Sequence, residues 1–317
     1  MSRYHSGERA VQERAGLAEQ AAFSLGGIGD GVPPVARDFL AEQPMIVVGA
    51  ADAKGRLWAT LLTGPPGFLR VPGPRTLLVN AAPAPGDPLD DVLRGAGRGG
   101  HGLQVGMIAV ETATRRRMRI NGRARWTGDG LQVGVDQVVA NCPKYLQKRE
   151  YRWAEGGTGG GRTGGGGRAA GAAVSVGRAL DPAQRAAVTA ADTFFVATAG
   201  GDGDADASHR GGNPGFVRVL SPTLLRWPDY TGNAMFLTLG NLQLNDAAGL
   251  LFPDWRTGTL LHLTGTARVL WDPAEAARVP GAQRLVEFAV AGVRELAGAS
   301  PLRWSDPAYS RFNPPTV

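Results

Sequence analysis

Cysteine is almost missing from this chain of 317 residues: Cys142 stands alone, which excludes an internal disulfide framework and fits a reducing cytoplasm. Histidine is nearly as scarce. His5, His101, His209 and His262 lie far apart, so no metal-ligand spacing exists and no metal site is expected. No apolar run approaches the roughly 18 to 20 residues needed to cross a bilayer. The stretch Met1–Glu8 lacks the apolar core of a secretory signal. Nucleophile elbow, Walker lysine motif and H-E-x-x-H are all absent, which leaves hydrolase and nucleotide triphosphatase readings without residues. These absences point to a soluble cytoplasmic protein with no membrane partner.

Lysine is rare as well, confined to Lys54, Lys144 and Lys148. The formal charge of +6 is therefore an arginine excess, spread along the chain and diluted by acids. No block of five like charges occurs, so a nucleic-acid partner is not expected.

Glycine, by contrast, is abundant at 47 residues. Gly156 to Gly171 is a glycine-rich stretch without apolar periodicity, the composition of a flexible linker. It divides the chain into an N-terminal unit, 1–155, a linker, 156–172, and a C-terminal unit, 173–317. Two G-x-G-x-x-G matches, at Gly95, Gly97 and Gly100 and at Gly159, Gly161 and Gly164, lack the strand before and the helix after that a dinucleotide site requires. Both are accidents of glycine content.

The two units repeat one another. Pro66-Gly67-Phe68-Leu69-Arg70-Val71 returns as Pro214-Gly215-Phe216-Val217-Arg218-Val219. Gly106-Met107-Ile108-Ala109-Val110 matches Gly249-Leu250-Leu251-Phe252, and Arg117–Ala124 matches Leu260–Ala267 at the same offset. Each unit opens with a helix, near Val35 to Gln43 and near Pro182 to Ala190, with Asp181 as N-cap before Pro182. An apolar strand follows each helix (Met45 to Gly49; Phe194 to Thr198), then short strands separated by Gly, Pro and Asp turns. A further helix is expected near Met235 to Leu244. Many short strands and few helices describe a mainly β protein made of small, partly open barrels.

Residues that can build a site concentrate in the second unit. Asp206 to Phe216 sets Ser208, His209, Arg210 and Asn213 beside two glycines, through which backbone amides can approach a ligand. The alternative for this stretch is an Asp/Gly-rich hairpin with an Asx turn. Pro228-Asp229-Tyr230-Thr231-Gly232-Asn233 leads to a helix on which Thr238, Asn241 and Asn245 share a face, an arrangement that suits an anion or plain capping. The first unit has Asp87 at the corresponding place, which would repel phosphate, so a single site belongs in the second unit. Arg115-Arg116-Arg117 reads as a solvated strand end, and Cys142 as a buried thiol without a resolving partner.

Taken together these stretches resemble the FMN-binding split-barrel family, whose name-giving member is pyridoxamine 5′-phosphate oxidase. Members with two barrels in tandem are most similar, above all over Asp206 to Phe216, Asn141 to Gln147 and Arg115 to Ala124. The resemblance implies a six-stranded Greek-key split barrel per unit and an intrachain pseudo-dimer, with further pairing into a homodimer open. FMN would lie in the groove between barrels. Ser208, His209 and Arg210 would run beside the flavin, and Tyr230, Gly232, Asn233, Thr238 and Asn241 would form the phosphate end. Trp58 and Thr60 of the other unit would face the ring. Where the oxidase proper has a basic pair this chain has Gly232-Asn233-Ala234, which argues against pyridoxal phosphate synthesis. The implied function is a flavin-dependent oxidoreductase acting on an unidentified small molecule, with His209 or Arg210 polarising substrate or cofactor. Alternatives are a non-catalytic flavin carrier served by a separate NAD(P)H-dependent reductase, a deazaflavin cofactor, and a haem-handling barrel, which the polar setting of His209 disfavours.

Overall fold

The computed structural model describes residues 4–98, 100–141, 143–154 and 173–316. Cys142 and the glycine-rich segment through Ala172 lie outside the described residues.

Each unit is one antiparallel sheet curled around its own core. In the first, the hydrogen-bonded path runs Leu57–Thr63, Met45–Ala51, Leu103–Glu111, Arg116–Trp126, Leu131–Asn141, Thr76–Val79, Leu69–Gly73, with Ile28–Gly29 added to Leu131–Asn141. The second repeats that order with Ala205–Gly211, Thr193–Ala199, Ala247–Pro253, Leu260–Leu270, Ala282–Leu296, Leu224–Tyr230 and Arg218–Ser221, with Val174–Gly177 added to Ala282–Leu296. The path therefore holds seven strands where six were expected. The extra one follows each Pro-Gly-Phe turn, because the chain continues extended and pairs as a hairpin with the next strand.

Met45–Ala51 is apolar almost throughout because it is paired on both edges and covered on both faces. The long strands instead alternate, as in Arg116–Trp126, and bend at bulges between Asn121 and Gly122 and, equivalently, between Thr264 and Gly265. Helix Pro182–Ala190 starts as its sequence dictates: Asp181 accepts from the Gln184 amide, Gln184 returns a bond to the Asp181 amide, and Pro182 occupies the first turn. No helix among the described residues is long and apolar enough to cross a membrane.

Four apolar clusters follow from this arrangement among the described residues, the smallest joining Tyr4 and Ala21 to Ile28, Val139, Ala234 and Met235. Leu40, Ile46, Leu62 and Leu77 fill the first barrel, and Phe194, Phe216, Trp227 and Phe288 the second. Between them Met45, Val47, Leu61 and Ile108 meet Phe195, Ala207, Leu251 and Leu260. The backbones approach closely at this seam: a Cβ on Gly106 would strike the backbone of Asp206, and one on Gly249 that of Trp58. Tyr151–Trp153 pairs with Leu302–Trp304 and ties the units again. The N-terminal helix Ser6–Arg14 crosses to the second unit and lies on helix Leu237–Leu244.

Candidate functional site

Strand Ala205–Gly211 is the last of its sheet's path, paired only with Thr193–Ala199. Its other side meets the first unit, where Asp206 and His209 find partners, while Ser208 and Arg210 pair within the second unit. Asp206 accepts from the Arg119 guanidinium at 3.0 and 3.2 Å. Ser208 Oγ lies 2.7 Å from Thr238 Oγ1. His209 Nδ1 is 2.9 Å from Arg117 Nη1. A guanidinium only donates, so Nδ1 accepts and the imidazole proton sits on Nε2. Burial, together with Arg117, Arg210 and Arg119, holds the His209 pKa well below its ordinary value, and the ring is neutral. Arg210 and Arg284 flank Asp229 at 3.9 and 3.3 Å.

Two adjoining cavities open here, at the junction of the units. One, about 670 Å³, is lined by Arg117, Arg119, Lys144, Tyr145, His209 and Arg210. The other, about 770 Å³, is lined by Leu17, Gln20, Thr238, Gln283 and Arg284. They share Arg119, Arg210 and the loop Tyr230-Thr231-Gly232-Asn233. Tyr145 packs on Tyr230 with ring centroids 5.0 Å apart and donates to the Thr231 carbonyl at 3.0 Å. Gly232 borders open space, where even an added Cβ would touch nothing.

Charge decides what such a groove accepts. Arg117, Arg119, Lys144, Arg210 and Arg284 surround it; among the described residues Asp206 pairs with Arg119, and Asp229 with Arg210 and Arg284. Two donors, Arg119 Nε and His209 Nε2, are buried without a hydrogen-bond partner. A dianionic phosphate monoester suits this set of cations by charge.

The structure gathers some of the expected residues and not others. His209, Arg210, Tyr230, Gly232 and Asn233 line the groove, with Ser208 and Thr238 bonded to each other beside it. Asn241 is engaged elsewhere: its amide nitrogen donates to Thr198 and its oxygen meets His5 Nε2 at 3.0 Å. Asn213 bonds the C-terminal tail through the Pro314 carbonyl and Asn313. Asn245 ends the helix and caps the Ala247 amide. The helix spans Leu237–Leu244, two residues later than expected, because Phe236 at its N-cap takes φ 57°.

The arginine run needs a correction. Arg116 does lie on the surface, paired with Glu111, but Arg115 bonds the carbonyls of Leu146, Ala308 and Tyr309, and Arg117 reaches His209. Arg119, Lys144, Tyr145 and Arg284 were missed altogether. The signal for Arg117 and Arg119 was present: Arg117, Arg119, Asn121 and Arg123 alternate with Met118, Ile120, Gly122 and Ala124. Such alternation marks a polar strand face, and only the fold shows that this face meets another barrel.

Trp58 and Thr60 belong to a second, related place. Thr63 pairs with Met45 as Gly211 pairs with Thr193, so Trp58 matches Asp206, Thr60 matches Ser208, and Leu62 matches Arg210. Across the seam, Ile108 pairs with Arg119 as Leu251 pairs with His262, which makes His262 the counterpart of Arg119 and Leu260 that of Arg117. Thr60 Oγ1 donates to Asp87, and His262 bonds the Ala59 carbonyl at 3.2 Å. Among the described residues no group of three or more His, Cys, Asp or Glu is placed to hold a metal ion.

Residues 180–303 match the family model described as pyridoxamine 5′-phosphate oxidase. No curated protein matches the chain. Among solved structures, a putative pyridoxamine 5′-phosphate oxidase from Lactobacillus delbrueckii is similar at 20% identity, covering 37% of this chain and 94% of that one, with a TM-score of 0.31. A pyridoxamine 5′-phosphate oxidase-related, FMN-binding protein from Nostoc punctiforme shares 14% identity over 42% of this chain and 100% of that one, at a TM-score of 0.29. An FAD-binding protein from Mycobacterium smegmatis shares 12% over 38% and 98%, at 0.27.

Proposed function

The C-terminal unit, residues 180–303, is a pyridoxamine 5′-phosphate oxidase-like split barrel, and from that premise we propose that the chain binds one flavin nucleotide, FMN, in the groove between its units. The observation that carries this reading is the convergence of Arg117, Arg119, Lys144, Arg210 and Arg284 on one cavity system. A phosphate monoester on an aromatic ligand suits such a groove, with Tyr145 and Tyr230 as its aromatic wall.

FMN, when bound, supplies hydride chemistry, and the protein's part is position and field. Arg117, Arg119 and Lys144 hold an anionic tail. Arg210, kept charged beside Asp229, reaches both cavities and orients what lies between them. His209 is a neutral N–H donor rather than a proton shuttle, because burial, and after it three arginines, keep its ring from charging. Gly232 and Asn233 leave the loop low enough for ligand to pass over it. An oxidoreductase acting on a small molecule is the activity this arrangement suits. Pyridoxal phosphate synthesis is not part of the proposal, since Gly232-Asn233-Ala234 brings no basic pair. Haem is disfavoured as well: His209 Nε2 is buried and His262 is enclosed in the seam.

The test is the absorbance spectrum of freshly purified protein, with mass spectrometry of what heat releases. Released FMN supports the reading. A deazaflavin would keep the groove and change the electron chemistry, and a colourless protein that ignores added FMN would overturn it.

A further inference from the structure

The N-terminal segment begins in the first unit's chain and ends against the second unit's groove. Leu17 and Gln20 line the larger cavity opposite Arg210 and Gln283. Ser24 Oγ donates to the Asn233 carbonyl at 2.7 Å, and the buried Gln12 amide donates to the Met235 carbonyl at 3.1 Å. These two bonds hold Asn233 and Met235, which alternate with the strained Ala234 and Phe236 at φ 61° and 57°, left-handed conformations that disfavour side-chain-bearing residues. The loop that carries Gly232 and Asn233 is thus pinned from outside by a segment from the other end of the chain.

Further contacts fix the segment itself. Helix Ser6–Arg14 crosses helix Leu237–Leu244 at Gly7 and Gly240, where a Cβ on Gly7 would strike the Gly240 carbonyl and one on Gly240 would strike Glu8. His5 bonds Asn241, and the Arg14 guanidinium lies 4.5 Å from the centroid of the Trp271 ring. The same helix carries Thr238, which bonds Ser208 on the groove strand. A continuous set of contacts therefore runs from the segment to both walls of the groove.

We propose that Tyr4–Ser24 is a positioning wall of the flavin groove, and that its docking and flavin binding are thermodynamically coupled. The inference rests on the function proposed above. Coupling is reciprocal: if the docked segment shapes the loop that binds flavin, bound flavin must hold the segment down by the same factor. Leu17, Gln20, Gln12 and Ser24 are the residues through which it acts.

Two readouts on the full chain test this: FMN affinity by flavin fluorescence quenching, and the rate of trypsin cleavage at the exposed Arg9 and Arg14, followed by mass. Saturating FMN is expected to slow that cleavage about fivefold or more in the wild-type chain. Gly7→Leu, and separately the double variant Gln12→Ala with Ser24→Ala, are expected to weaken FMN binding about fivefold or more. Should Gly7→Leu fail to fold, the double variant decides. Variant affinities within twofold of wild type, with cleavage indifferent to FMN, would overturn the coupling while leaving the flavin site intact. A wild-type chain that binds no FMN would instead overturn the flavin reading and this inference with it.

Discussion

Two places between the barrels are built on matching strands and hold opposite chemistry. The second unit's edge strand carries Asp206, Ser208 and Arg210, with Arg117 and Arg119 on the strand across the seam; at the matching positions the first unit's edge strand carries Trp58, Thr60 and Leu62, with Leu260 and His262 across it. Leu62 and Leu260 are buried core residues where Arg210 and Arg117 border a cavity. In the first-unit place, Asp87 is buried, bonded by Thr60 and the Leu89 amide, and burial outweighs both bonds to push its pKa up to about 7. His262 is driven down to about 3 by burial, then by Arg294, so it is neutral and makes no ion pair with Asp87. One backbone pattern thus supports a cation-rich groove in one copy and a packed seam in the other. The difference lies in which side chains give up core packing to face solvent and ligand.

Breaking the polar groove should have the largest effect. Arg210→Ala combined with Asn233→Asp removes a shared cation and adds a carboxylate at the mouth, and should weaken FMN binding by roughly a hundredfold, measured by fluorescence titration. Arg117→Ala should cost about tenfold in the same titration, since other cations remain.

Smaller effects are expected in the packed copy, and they fall on stability. Folding raises the Asp87 pKa from 3.8 to about 7, so this group favours the fold most fully below its unfolded value. That contribution is lost as pH rises toward 7 and is absent above it. Asp87→Asn should therefore raise the melting temperature above pH 7, by at most about 4 kcal/mol of stability, and flatten its pH dependence between 4 and about 7. FMN affinity should stay within about twofold. Trp58→Phe, which removes a bond to Asp52 and part of a buried ring in the packed copy, should change FMN affinity least of all. A large loss there would mean that the packed copy also touches flavin.

Much of this asymmetry could be read from the chain. The repeats aligned the central strands, Asp181 and Pro182 announced their helix, and the contrast of Asp87 with the Gly232-Asn233 turn pointed to one site in the second unit. The register along the edge strands was harder. Trp58 and Thr60 carry polar atoms on the right strand, yet their partners, Asp52 and Asp87, are local and already satisfied. The first unit's contribution came instead from Arg117, Arg119, Lys144 and Tyr145. Period-two alternation cannot distinguish a strand face that meets water from one that meets another barrel. The role of the N-terminal segment was hidden for the same reason, because its contacts span more than 200 positions in sequence.

Of the two strand-matched places, the cation-rich groove alone should bind flavin. Isothermal titration of the chain with FMN, after removal of any flavin already carried, tests it most directly. The account predicts saturation at a single flavin per chain, lost in the Arg210→Ala, Asn233→Asp variant and retained in Asp87→Asn. Two equivalents per chain, or binding that survives the loss of Arg210 and Asn233, would contradict it.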